Sequence, residues 1–382
     1  WGIPVCVRYG VAGGSKVACE LLDQSQGKLV LDGADASTWV LPNADARGYY
    51  RFGLGKAELA ALSRRVAGLS DGEQLAYADA VEAGFRHGDL DAGDALAALQ
   101  PLAASKTAQV ALAPLSGDRR EALLPWIYRN LAGDEAQRRR IEAWVERNYL
   151  PRLRELGYRR KPGEADSDTL LRGELARSLG LTFKLAEVRK ALRLQGDAAL
   201  KPKPDGRLDL EAADPDLLDL TLAVAVQEHG AAAVDALIAE LPKTSDPQRR
   251  NAILSGLAAV EDPALADRVR DFALGKQVKV GEMARLLSGG RTPAAREARW
   301  AWFVGHYDQV VARTGSFLTG GRLPGQVSAG ACSQAEADRL QQFFQPHLKD
   351  ASTLARGLAQ TREAIQLCAA LKAKQDPAAI LR

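Results

Sequence analysis

The sequence is poor in the groups that carry most chemistry: its 382 residues include four histidines, four cysteines and a single methionine, Met283. None of His87, His229, His306 and His347 stands in an H-E-x-x-H pattern. The helical arrangement of two zinc ligands and a general base is therefore absent. Glu228-His229 reads as a favourable charge at a helix C-terminus rather than a catalytic dyad, and His347, after Pro346, as a turn residue. No serine nucleophile elbow and no Cys/His pairing stands out. Cys6, Cys19, Cys332 and Cys368 show no C-x-x-C spacing, which excludes a zinc knuckle and a dithiol redox motif. Cys6 and Cys19 can face each other across a hairpin, but connectivity does not follow from sequence, and reduced core thiols are the expected state.

Long apolar runs and excess charge are also lacking. No stretch approaches the roughly 20 apolar residues of a membrane helix, so no membrane segment is expected. With 51 basic and 48 acidic residues the formal net charge is +3, too small to point to nucleic acid. β-Branched residues thin out after the first fifty positions while Ala and Leu dominate, which favours helices. The chain begins at Trp1 with no initiator methionine or signal peptide, so the sequence is expected to be a fragment of a longer protein.

What is present divides in two. Residues 1–54 read as β-structure. Ile3, Val5 and Val7 alternate with Pro4, Cys6 and Arg8, and a second strand with Val17, Leu21 and Leu22 follows the turn Gly13-Gly14-Ser15. Leu29-Val30-Leu31, Trp39-Val40-Leu41 and Tyr49-Tyr50-Arg51-Phe52 make three more short runs. Together they predict part of an antiparallel β-sandwich. Gly10 to Lys16 loosely resembles a phosphate loop but lacks the Gly-Lys-Ser/Thr order, and a hairpin turn is the expectation.

Residues 55–382 read as helices. Ser70-Asp71-Gly72-Glu73 is a capping box, repeated at Ser333-Gln334-Ala335-Glu336. Asp214-Pro215, Asp246-Pro247, Asp262-Pro263, Asp376-Pro377 and Thr292-Pro293 each place a capping oxygen before a proline at a first helical position. Ile141, Val145, Tyr149, Leu153 and Leu156 form one apolar stripe stopped by Gly157, and Leu218, Leu222 and Ala225 another stopped near Gly230. Many short helices predict an α-solenoid with HEAT-like, structural rather than sequence, repeats. Lys201 to Gly206 and Gly315 to Gly330 read as loops. The basic run from Arg138 to Lys161 is diluted by Glu142, Glu146 and Glu155 and reads as a solvated helix face.

Several segments, in order, resemble the C-terminal region of the aminopeptidase N and endoplasmic-reticulum aminopeptidase family. They are Trp1-Gly2-Ile3-Pro4-Val5; Trp39, Asn43 and Gly48-Tyr49-Tyr50-Arg51; Leu69-Ser70, Asp79 and Gly88; Gly290-Arg291-Thr292-Pro293 before Trp300 and Trp302; and Cys332-Ser333 before Phe343-Phe344. Gln74 departs from the arginine usual there. The resemblance implies the end of a β-sandwich followed by a bowl-shaped helical superhelix, which encloses a substrate chamber against a catalytic domain of the same polypeptide. It also implies that the one zinc ion used to remove N-terminal residues from peptides belongs to that other domain, and that this chain alone is inactive. Antigen-trimming members hold the peptide's C-terminal carboxylate with a Tyr-Lys pair and an arginine. By that resemblance the substrate-binding candidates here are Tyr128 and Arg129, placed by spacing to Leu171-Arg172, and Arg291. A further arginine of those members aligns with Ala259. The alternative from another class is a free-standing helical-repeat scaffold that binds proteins.

Overall fold

The computed structural model describes residues 2–116, 122–290, 292–315, 321–349 and 353–380. The fold is mainly α-helical with one small antiparallel sheet. Strands β1 (Ile3–Val11) and β2 (Gly14–Leu22) form a hairpin in which Val11 lies opposite Gly14 and Cys6 opposite Cys19. Ala12 and Gly13 make the turn, with Gly13 at φ +84°, so the glycine-rich segment is a hairpin and not a phosphate loop. Strand β3 (Val40–Leu41) pairs with Arg8 and Tyr9, giving the order β2-β1-β3.

Two expected strands do not form. Leu29-Val30-Leu31 has no paired neighbour, and Val30 is exposed. Tyr49 to Phe52 is held in a turn instead, because Asn43 brackets Gly48: its Nδ2 donates to Gly48 O at 2.9 Å and its Oδ1 accepts from Gly48 N at 2.8 Å. Tyr50 then donates to Pro42 O at 2.6 Å. These bonds fix the bend at Gly48 and tie the Tyr50 side chain back to Pro42, and residues 49–52 pair with no strand. The cysteines are a second correction. Cys6 pairs with Cys19 and Cys332 with Cys368, leaving no free cysteine.

The chain divides into two compact units. The first comprises residues 1–152, 165–178 and 374–382. After the sheet it carries α1 (Lys56–Ser63), α2 (Asp71–His87), α3 (Ala92–Leu99), α4 (Ala108–Leu112), α5 (Leu123–Asn130), most of α6 (Glu135–Leu156) and α7 (Asp166–Arg177). Ser70 opens α2 with the expected reciprocal capping box, and Gly88 closes it at φ +90°. Ile141, Val145 and Tyr149 on α6 are buried as the stripe predicts. Gln74 donates to Leu69 O at 2.8 Å, so the departure from arginine leaves no unpaired polar group at that amide nitrogen. The chain's last segment docks back into this unit. Gln375 accepts from Ala92 N at 3.0 Å and donates to Leu90 O at 3.2 Å, Lys374 donates to His87 O, and Ile380 is buried.

The second unit comprises residues 153–164 and 179–373. It holds α8 (Ala186–Ala199), α9 (Leu218–His229), α10 (Ala231–Glu240), α11 (Pro247–Ala258), α12 (Pro263–Leu274), α13 (Val280–Leu287), α14 (Pro293–Thr314), α15 (Leu323–Val327), α16 (Gln334–Phe344) and α17 (Leu354–Lys374, its last residue in the first unit). Helix α9 is apolar on nearly every side, from Leu218 to Val226, and is correspondingly buried. It packs on α8 and α11; α11 packs on α13, and α12 on α10 and α14. Gly196 permits the first of these contacts, since a Cβ there would lie 2.5 Å from Thr221 O.

The proline-linked caps form at Asp246, Asp262 and Thr292, each side chain accepting from the third backbone N–H. Asp214 does not cap a helix; its carboxylate takes the backbone N–H groups of Arg160 and Asp216. Ser333 caps α16, but Glu336 reaches back one residue further than expected, to Cys332 N at 3.0 Å. The segment read as a loop from Gly315 contains a helical turn, α15, with proline near its start where no intrahelical N–H is lost.

Candidate functional site

Helix α5 owes its place to Leu123, Leu124, Trp126 and Ile127, all buried, with Trp126 edge-on to Phe85 at 5.5 Å. That leaves Tyr128 half-buried and Arg129 exposed. The Tyr128 hydroxyl donates to Glu142 Oε1 on α6 at 2.5 Å. Burial first, and the neighbouring carboxylate second, push the phenol well above its ordinary value of 10. Tyr128 is therefore neutral at physiological pH, and its one hydroxyl proton is directed at Glu142.

Arg291 lies outside the described residues. Gly290 has φ +84°, and Thr292 Oγ1 accepts from Ala295 N at 3.2 Å as the N-cap of α14. The structure thus places Tyr128 and Arg129 together on one helix and does not test Arg291 beside them.

Sequence reasoning missed Arg299, which is 2% exposed in α14. Its Nη1 donates to Ser288 O, Gly289 O and Gly290 O at 3.0–3.3 Å, its Nε to Val327 O at 3.1 Å, and its Nη2 to Ala329 O at 2.5 Å. One guanidinium thereby gathers carbonyls from the turn before α14 and from the turn after α15. A helical spacing pattern marks Arg299 only as charged; the two loops that surround it are remote in sequence. Around it the resemblance motif becomes an aromatic cluster. Trp300 and Phe303 meet Phe343 at 5.6 and 5.5 Å, and Trp302 stacks on His306 at 4.5 Å while donating to Asp271.

The motif residues near the N-terminus also meet. Trp39 lies against Gly10, where a Cβ would sit 2.4 Å from the indole nitrogen, so only glycine fits. Arg51 forms a two-point ion pair with Asp79 at 2.9 and 3.2 Å. Glu73, 2% exposed, receives Arg8 Nε at 2.6 Å and Asp45 N at 3.0 Å besides its capping bond.

The histidines are dispersed. His87 bonds Asp89, His229 bonds Asp197, His306 faces Trp302 O, and His347 lies against Tyr307. Glu228 pairs separately with Arg189, so Glu228-His229 is not a dyad. Among the described residues no three His, Cys, Asp or Glu side chains are grouped to hold a metal, and this chain's described residues do not fit a zinc site. No helix among them is long and apolar enough to cross a membrane. The basic run is interleaved with partners: Arg139 with Glu135, Arg152 with Asp168, and Arg154 with Glu187. A cavity of about 130 Å³ lies over Leu208 and Leu210, ringed by Lys203, Arg207, Glu240 and Arg249. Its cations are engaged by this chain's own carboxylates, Arg207 by Glu240, and Lys203 and Arg249 by Glu211.

Fold and side chains together define a mainly α-helical protein whose recognisable motifs serve architecture. The ERAP1-like C-terminal domain family matches residues 39–367. Aminopeptidase M1 of Arabidopsis thaliana is 25% identical over 215 residues, covering 56% of this chain and 23% of the plant protein. This chain belongs to the ERAP1-like C-terminal domain family. It matches less than a quarter of the length of that plant relative.

Proposed function

We propose that the chain is the non-catalytic C-terminal region of a zinc-dependent aminopeptidase, in which it encloses the substrate chamber and contacts the far end of the peptide. The family match across residues 39–367 carries this reading. In it, residues 1–54 end a β-sandwich and residues 55–382 form a helical superhelix. Two observations support that division. Strand β2 is an edge strand exposed on most of its length, as expected of a sheet completed by other strands. In the second unit α9, α11 and α13 pack in succession, as do α10, α12 and α14, the layering of a helical-repeat array. The catalytic domain of the same polypeptide is the partner, it holds the zinc, and peptides are the substrates.

Within this reading Tyr128, Arg129 and Arg291 hold the peptide's C-terminal carboxylate. A guanidinium suits a carboxylate through its planar fork. Arg129 is exposed, and the Tyr128 hydroxyl must leave Glu142 to reach a carboxylate. The test restores the catalytic domain and compares Arg129→Ala and Arg291→Ala with the parent. Each is assayed on a ten-residue peptide, the same peptide amidated at its C-terminus, and a short aminoacyl amide. A charge-assisted bond contributes roughly 1.5–3 kcal/mol, so kcat/KM on the free-carboxylate peptide should fall about ten-fold or more. The short amide should be unaffected. Equal losses on all three substrates, or none, reject the carboxylate site.

A further inference from the structure

None of the four cysteines is buried: Cys19 is exposed, and Cys6, Cys332 and Cys368 are half-buried. That is the wrong place for structural thiols in a reducing compartment, where free cysteines favour the core. Nor are the four scattered. Cys6 and Cys19 occupy directly opposed positions of the β1–β2 hairpin, with Cα atoms 4.1 Å apart. Cys332, just before α16, meets Cys368 in α17 with Cα atoms 5.1 Å apart. Each compact unit contains one pair, and no cysteine is left over.

We propose that this protein matures in an oxidising compartment, outside the reducing cytosol, as a client of a thiol-oxidising protein disulfide. Accessible paired cysteines with none spare are what disulfide-permissive compartments produce. In each pair one thiolate attacks the oxidant's disulfide, forming a mixed disulfide and releasing one oxidant thiolate. The second cysteine, losing its proton, attacks the mixed disulfide, closes the protein's S–S bond and releases the oxidant's other thiolate. Each bond thus moves two electrons to the oxidant and releases two protons from the cysteines. The two bonds close loops of unlike length, with sequence separations of 13 and 36 residues, so both restrict the unfolded chain.

The test traps thiols in cells that make the protein. The cells are quenched in acid, and the denatured full chain is alkylated with a maleimide of large mass before and after reduction. The expected result is no label before reduction and labelling of all four cysteines after it, with non-reducing peptide maps joining Cys6 to Cys19 and Cys332 to Cys368. Labelling of all four without reduction overturns the proposal, and labelling of one pair overturns it for that pair. A second arm melts the purified full chain. Dithiothreitol should lower Tm, and Cys6→Ser/Cys19→Ser and Cys332→Ser/Cys368→Ser should each lower it by about 5–10 °C and lose part of the dithiothreitol effect. A Tm that neither reduction nor substitution moves refutes the dependence on oxidation.

Discussion

Glu73 and Arg299 do the same job in different units with opposite polarity. Glu73 is an acceptor: it takes Arg8 from β1, the backbone of Asp45 and the N-terminus of α2. Arg299 is a donor that takes the carbonyls of two loops. Each lies in a helix and fastens chain outside that helix. The difference lies in what the partners can do when the charge is lost. Arg8, 23% exposed in its side chain, keeps Asp45. The carbonyls of Ser288, Gly290, Val327 and Ala329 all turn to the one Arg299 guanidinium, and a buried acceptor without a donor costs about 1–3 kcal/mol. A buried charge that holds several backbone carbonyls is thus harder to replace than one whose charged partner keeps a second carboxylate.

Three measurements bear on that comparison. The largest effect is expected from Arg299→Met, which keeps the stem's packing and removes every donor. It should destabilise the protein by at least about 3 kcal/mol in denaturant unfolding; a loss below about 1 kcal/mol would show that water serves these carbonyls equally well. The second uses pH. Burial pushes the Glu73 carboxyl up, but bonds from Arg8, Asp45 and Ser70 outweigh it, and the net pKa lies below the ordinary value of 4.5. A carboxyl lowered on folding adds stability that is fully present above about 4.5 and is lost as pH falls through the folded value. Glu73→Gln should therefore be destabilised relative to the parent at pH 7, with the gap narrowing below pH 4.5. A gap that does not narrow would mean the charge of Glu73 contributes nothing. The smallest effect belongs to Arg51→Ala. Its pair with Asp79 is well formed but more than half exposed on both sides, so the change should cost under about 1 kcal/mol, and added salt should erase most of it.

What could be read from the sequence follows from how local each signal is. The stripe of Ile141, Val145 and Tyr149 needs only helix geometry, and Ser70 with Glu73 needs only one turn. The resemblance motifs located the family although their side chains serve turns and packing, as Asn43 does around Gly48. Leu29-Val30-Leu31 failed because a strand requires a partner, which alternation cannot supply. The cysteine pairs failed for the same reason, since opposition of Cys6 and Cys19 depends on hairpin register. Of the candidate site, Tyr128 and Arg129 came only through the resemblance, and the hold of Glu142 on Tyr128 was invisible because it joins two helices. Arg299 was out of reach because its meaning resides in loops before and after its own helix.

The docking of Gln375 on Leu90 and Ala92 sets a schedule for synthesis. The first unit is not written as one stretch of sequence: its last piece follows residues 179–373 of the second. At ribosomal speed that intervening stretch takes on the order of ten to forty seconds to emerge. Until Gln375 emerges, the turn between α2 and α3 lacks the amide that pairs with Leu90 O and Ala92 N, and the nascent first unit stays unclasped at that turn.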